Sequence, residues 1–357
     1  MMNTARPKIS FCLPVYNVQD YIEACIESLY AQELSDFEII CIDDCSTDDS
    51  GIVLDRIAEV HSEVCVYHSP VNRGVGHSRN LALQYASGKY IWFVDPDDML
   101  MPGIAKQFID IAEEKNAQTV IGNLYWFMGF NVPKSLQKGT GTITEIGFSD
   151  PKKFYISHDQ SGKISFSVCH GIFLKSFLDD NQIRFEEDLF VLEDYTFWFI
   201  TGLTLNKAYH VDMIGYLVRV RPGSATRRDA FTDYTKRYEC ARKVLGIYRS
   251  YQSKPENDKY SEAVKAHLLH MQETAAIFLA AVIDSRYVRK ELKWLQKAGF
   301  YPYKHREDYE FSTHKPNVEK TIKYILPHKV TFWMFHYAYV IRYWFARIRR
   351  RANRNSR

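Results

Sequence analysis

Tyr90-Ile91-Trp92-Phe93-Val94 runs straight into Asp95-Pro96-Asp97-Asp98, three carboxylates within four positions. Five apolar, β-prone residues without alternation read as a strand buried on both faces. Pro96 donates no ladder hydrogen bond and biases Asp95 towards extended geometry, so the strand is expected to end there. The acids then sit at the carboxyl end of a central strand, where open α/β sheets bind ligands. Carboxylates this close repel unless a cation joins them. An all-oxygen set suits Mg2+ or Mn2+, usually shared with substrate phosphates. The same residues also suit a solvated turn ahead of a helix, and a lone D-x-D does not choose between the two.

Earlier stretches share that layout. Lys8 to Leu13 is a short apolar strand closed by Pro14-Val15-Tyr16-Asn17. Asp20 stands where it could cap a helix with Ile22, Cys25, Ile26 and Leu29 at helical spacing. Phe37 to Ile42 is a second strand, running into Asp43-Asp44 and a polar stretch, Cys45 to Ser50, ahead of a helix from Ile52 to Val60. Val64 to Tyr67 is a third, followed by the loop Asn72-Arg73-Gly74-Val75-Gly76 and a helix from Ser78 to Tyr85. Strand and helix in alternation predict an α/β fold with a parallel sheet and right-handed crossovers. Gly74 and Gly76 do not make a dinucleotide fingerprint. Arg79 stands where the third glycine belongs, and the loop follows the third strand rather than the first. Two readings stay open for it: a flexible carrier bringing Arg73 to a phosphate or base, and a plain surface turn.

Taken in order, strand-PVYN, strand-DDCSTD, NRG and strand-DPDD over residues 8 to 102 closely resemble the family 2 glycosyltransferases of the GT-A fold. The usual forms there are P-x-Y-N, V-D-D-G-S-x-D, N-x-G and D-x-D-D. Cys45 replaces the usual glycine, which argues for a less strained backbone at that position. The resemblance implies a Rossmann-like, mostly parallel central sheet flanked by helices, with a nucleotide-sugar lying across the carboxyl ends of its strands. It implies that Pro14 and Tyr16 line the base pocket and that Asp44 accepts from the base, commonly uracil. Asp95 would meet the ribose or the metal, and Asp97 would hold the Mn2+ or Mg2+ that bridges the diphosphate, with Asp98 bracing the loop. A diphosphate leaving group calls for such a cation to take up developing charge.

Beyond Pro102 come a helix from Ile104 to Asn116 and a strand from Thr119 to Asn123. Residues 124 to 165 are weakly patterned and read as a variable acceptor-side insertion. Val168 to Lys175 and a helix from Ser176 to Asn181 follow, and Leu192-Glu193-Asp194-Tyr195 opens a helix through Leu203. The resemblance makes this the acceptor-side E-D motif, with Asp194 as the catalytic base. Adjacent helix positions point in different directions, so Glu193 and Asp194 should not both face one cleft. Acids in a first turn are also what the helix dipole favours. His170 suits either a bond to acceptor or phosphate, or a structural role. Tyr216 to Thr226 resembles the closing segment Y-x-Y-R-x-R-x-G-S-x-T. Alternation puts Arg219 and Arg221 on one face, where they suit diphosphate oxygens or plain surface charge on an edge strand.

The remainder reads as helices over Phe231 to Tyr251, Ser261 to Ser285 and Tyr287 to Ala298, a packed annex without chemistry of its own. The tail from Val330 to Ile348 is aromatic, but Arg342 and Arg347 interrupt it, so an interfacial helix is expected before a spanning one. Packing of those aromatics on the annex is the other reading. Of the formal charge of +3, the seven arginines of residues 342–357 contribute +7, so the rest of the chain stands at −4. A basic tail on a mildly acidic body points to an anionic surface that meets the tail alone. Nothing else supports nucleic-acid binding. The seven cysteines show no C-x-x-C spacing and read as reduced core thiols of a cytoplasmic protein, held at most peripherally at the inner membrane face.

At 357 residues the chain suits two domains or one with a long extension. The division read here is a catalytic domain over 1–228, split into a nucleotide-sugar half (8–123) and an acceptor half (124–228), then the annex (229–327) and the tail (328–357). The expected activity is metal-dependent, inverting transfer from a nucleotide-sugar to a hydroxyl of a glycan or lipid-linked acceptor. A nucleotidyltransferase, or a silent sugar-nucleotide-binding or membrane scaffold protein, are the rival readings.

Overall fold

A computed structural model of the chain describes residues 6–129, 136, 139–146, 167–221, 233–254, 261–303, 326 and 328–355. It divides the chain into two compact units, Met1–Arg221 and Pro222–Arg357.

The first unit alternates strand and helix as the pattern requires: β1 (Ile9–Val15), α1 (Ile22–Tyr30), β2 (Phe37–Asp43), α2 (Ser50–Val60), β3 (Val64–His68), α3 (Val75–Tyr85) and β4 (Tyr90–Phe93). These four strands stand side by side in the order β3-β2-β1-β4, all parallel. Every residue of β1 and β4 is buried, which is why neither sequence alternates. Trp92 stacks on Phe108 at 5.5 Å, and its indole N–H donates to the Cys169 carbonyl at 2.6 Å. Asp20 does not cap α1; Tyr21 holds the cap position, with no side-chain bond.

The sheet then changes character. After β5 (Met99–Leu100), α4 (Ile104–Lys115), β6 (Thr119–Met128) and β7 (Ile143–Ile146), a turn of 3-10 helix (Val168–His170) leads to β8 (Gly171–Leu174). β8 lies antiparallel between β4 and β6, and β9 (Ala208–Val220) runs parallel to β6. β5 and β7 pair antiparallel with β9. The parallel arrangement thus belongs to the amino-terminal half, and the sheet is mixed beyond it. Helices α5 (Lys175–Asp180) and α6 (Glu193–Thr204) complete this unit.

One consequence of this pairing fixes the acidic loop. Residues 94–98 are anchored at one end by β4 on β1 and at the other by β5 on β9, with Met99 opposite Leu217. Strand β9 therefore lies between β6 and β5 rather than at an edge.

The second unit contains α7 (Tyr234–Gln252), α8 (Ser261–Ala280), α9 (Ser285–Lys297) and α10 (Lys329–Asn355). Helices α7, α9 and α10 all pack on α8. No described helix is long and apolar enough to cross a membrane.

Candidate active site

The acidic loop after β4 is braced from behind by β9. Asp98 is buried; its carboxylate accepts the Arg219 N–H at 2.7 Å and the Tyr216 hydroxyl. Tyr216, 1% exposed, also accepts the Asp95 N–H at 2.9 Å. Asp98 is thus the brace expected of it. Burial, then Asp97 and Asp95, hold its carboxyl well above the usual range.

Arg219 and Arg221 share a face, as alternation requires, and both guanidinium groups lie over the Tyr21 ring. Neither is plain surface charge. Arg219 is buried, and its guanidinium donates to the carbonyls of Asp97 (2.8 Å) and Gly129 (2.6 Å). Arg221 donates to the Asp97 carboxylate at 2.5 Å. The edge-strand reading fails because β5 occupies the other side of β9. Gly223, Ser224 and Thr226 of the closing segment lie outside the described residues.

The loops after β1 and β2 face each other. Asp44 is buried, and its two carboxylate oxygens accept the N–H groups of Arg73 (2.9 Å) and Gly74 (2.7 Å). It therefore holds the loop between β3 and α3. Gly74 at φ +92° enters α3 in a conformation that side chains avoid. Arg73 reaches the exposed Glu187 at 3.2 Å, in company with His77. Pro14 is buried within β1 opposite Ile42, while Tyr16, just beyond the strand, is 39% exposed. Cys45 has φ +60°. The expectation of a relaxed backbone there is overturned. The turn keeps the left-handed geometry that glycine accepts freely, and Cys45 adopts it at a cost of about 1–2 kcal/mol.

Arg79 joins the two sides of the site. It lies on α3, 3% exposed, with its guanidinium against the Phe185 ring. One terminal nitrogen donates to Asp95 at 2.9 Å; the other reaches both Glu193 (3.0 Å) and Asp194 (2.6 Å). The two adjacent acids do meet one group, contrary to expectation. They open α6, so no preceding turn obstructs them, and the longer glutamate side chain reaches back to the same nitrogen. Spacing marks Arg79 only as the residue that spoils a glycine fingerprint. A lone arginine on a helix carries no further signal.

Three carboxylates share this single cation. Burial, then Asp194, pushes Glu193 up to about 8. Burial also holds Asp194 above the usual carboxylate range; Arg79 opposes this, Asp95 adds to it, and the Val168 N–H (3.3 Å) opposes it. Asp194, with the shorter ion pair and the extra donor, is the better candidate for the ionised member at neutral pH, and Glu193 for the protonated one. His170 is 2% exposed and stacks on Trp198 at 5.5 Å. Burial, then His210, lowers it to about 3, so it stays neutral and structural.

Asp95 and Asp97 offer carboxylate oxygens on one loop. Burial and then Asp95 raise Asp97, so added positive charge would be welcome there. Among the described residues no three His, Cys, Asp or Glu side chains form a metal cage. Two carboxylates do fit a divalent cation whose other ligands are water and substrate phosphate. A pocket of about 530 Å3 lined by His77, Gln84, Lys175 and Arg184 includes none of these site acids.

The model of glycosyl transferase family 2 matches residues 10–181. Over those residues, just under half of the chain, the sequence is similar to glycosyl transferase family 2. The poly(ribitol-phosphate) beta-glucosyltransferase of Bacillus spizizenii is 34% identical over 193 residues, 53% of this chain and 28% of that relative. The chain likewise spans only 63% and 39% of two further curated relatives. Among solved structures, Staphylococcus aureus TarS 1–349 in complex with UDP-GlcNAc matches with a TM-score of 0.59 at 21% identity, covering 87% of this chain and 98% of that one. The mannosyltransferase PcManGT of Pyrobaculum calidifontis, in complex with GDP-Man and Mn2+, matches at 0.50 and 16%, covering 93% and 88%. At these identities the structural likeness shows the fold alone, which is GT-A.

Proposed function

We propose that the chain transfers a sugar from a nucleotide-sugar, UDP-linked, to a hydroxyl of a glycan, polyol-phosphate polymer or lipid-linked acceptor, with inversion. The observation that carries this is Arg79, which brings the donor-side Asp95 and the acceptor-side Asp194 to one guanidinium. Asp194 takes the proton of the acceptor hydroxyl as that oxygen forms its bond to the anomeric carbon. The bond from that carbon to the diphosphate breaks on the opposite side, and its electron pair leaves with the nucleoside diphosphate. General base action of this kind contributes about 10²–10⁴-fold. Asp44 keeps the Arg73–Gly74 loop in place, and these residues together with Tyr16 form the base end of the site. Arg219 and Tyr216 hold the Asp97 loop from behind, while Arg221 pairs with Asp97 until donor binds. Mn2+ or Mg2+ held by Asp97 and Asp95 would neutralise the departing diphosphate.

UDP-GlcNAc bound to TarS and the poly(ribitol-phosphate) acceptor named for the Bacillus relative support this donor and acceptor class, and Mn2+ in PcManGT supports the metal. Reaction in the cytoplasm suits seven cysteines that are all free. Calorimetry with UDP tests the donor end: binding should weaken strongly in EDTA, and Asp97→Asn should erase the difference. Equal affinity with and without metal removes the metal-bridged donor. Release of pyrophosphate rather than nucleoside diphosphate during turnover would point to nucleotidyl transfer instead.

A further inference from the structure

Helix α10 has two faces whose surroundings differ. Phe332 and His336 are fully buried in the second unit. His336 bonds Ser285 Oγ at 2.8 Å through Nε2 and the Ala280 carbonyl at 3.2 Å through Nδ1, and Phe332 meets the Tyr301 ring edge-on at 5.9 Å. These contacts set the rotation of the helix. At about 100° per residue, Val330, Met334, Tyr337 and Ile341 fall within an arc of roughly 60° on the opposite side. They are 73%, 67%, 48% and 57% exposed. A line of four bare apolar side chains on a helix anchored through Phe332 and His336 calls for an occupant.

Charge identifies it. Lys329 and Arg342 lie at the two ends of the stripe, and residues 320–357 contain ten lysines and arginines and no carboxylate. The occupant therefore presents apolar and anionic groups together over one plane. A stripe four side chains long is far smaller than the roughly 800 Å2 per partner that a stable protein interface buries. A bilayer surface needs no such area, since its acyl boundary takes the apolar line while anionic headgroups meet the flanking cations.

We infer that α10 is a membrane-surface helix, lying in the plane of an anionic bilayer with Val330, Met334, Tyr337 and Ile341 inserted at the acyl boundary. Phe332 and His336 keep the unit attached to it from above. This inference is independent of the proposed chemistry.

The test is sedimentation of the full chain with vesicles of phosphatidylcholine alone or mixed with phosphatidylglycerol. The intact protein should sediment only with the mixed vesicles and be released by salt, as a headgroup attraction within the Debye length must be. Met334→Asp with Ile341→Asp should weaken sedimentation at least about tenfold while leaving the melting midpoint unchanged, because both side chains are exposed. Arg349→Gln, Arg350→Gln and Arg351→Gln together should weaken it about 100-fold, at a factor of about five per cation. Failure to bind the mixed vesicles overturns the inference, as does equal binding by the aspartate pair or by the arginine triple. A dimer in sedimentation velocity that the aspartate pair abolishes would assign the stripe to a second copy and overturn it too.

Discussion

Replacing Arg79 by methionine keeps the unbranched stem of the side chain and removes the cation that, among the described residues, Asp95, Glu193 and Asp194 share. Its side chain is 3% exposed, those of Glu193 and Asp194 are 12% and 20% exposed, and Asp95 at 36% is partly relieved by water. Breaking a buried pair from one side costs about 3–5 kcal/mol. The carboxylates limit that cost by taking up a proton. Holding an aspartate neutral costs about 1.4 kcal/mol per pH unit above its unfolded value of about 3.9. That limit is about 5–6 kcal/mol near pH 8 and about 2 near pH 5.5. The sign follows from proton binding: the folded variant retains a proton that the unfolded chain has released, so stability falls as pH rises. Urea unfolding of the wild type and Arg79→Met should therefore differ by about 3–5 kcal/mol near pH 8 and by about 2 near pH 5.5. Adding Glu193→Gln and Asp194→Asn should restore most of the loss at the higher pH. A penalty below about 1 kcal/mol, or one independent of pH, would refute the view that Arg79 compensates buried charge.

Asp194→Asn should lower turnover by about 10²–10⁴-fold with UDP affinity nearly unchanged, read by steady-state kinetics and calorimetry. Glu193→Gln should cost far less; if the order is reversed, Glu193 is the base. Because Glu193 is raised to about 8, it withdraws stability as pH climbs from the ordinary glutamate range to that value. Glu193→Gln should therefore melt higher than wild type above about pH 8 and alike near pH 4.5, in a melting series across pH. Cys45→Gly should raise stability by about 1 kcal/mol, since glycine takes φ +60° without strain. Asp44→Ala strips the partners from two loop N–H groups. It should cost about 1–3 kcal/mol in urea unfolding and weaken UDP binding.

Local patterning was enough to locate β1 to β4 and the acids that follow them, because a strand buried on both faces is a continuous apolar run and its end is marked by proline and carboxylates. It also placed Asp98 as a brace and Arg219 with Arg221 on one face, since those follow from chain geometry over a few residues. Strand order was beyond its reach. That β5 pairs with β9 depends on packing across more than a hundred residues, and this pairing removes the surface-charge alternative for Arg219 and Arg221, which support the acidic loop. Cys45 shows the limit at a single residue: its type suggests a relaxed turn, whereas the bonds holding Asp44 and the following loop keep φ positive. Arg79 shows the limit for the site. Residues 79 and 95 lie far along the chain from 193 and 194, and only the fold brings three carboxylates to one buried guanidinium. The sum of burial and mutual repulsion that raises Glu193 then exists only in the tertiary structure, because the unfolded chain keeps each of these charges in water.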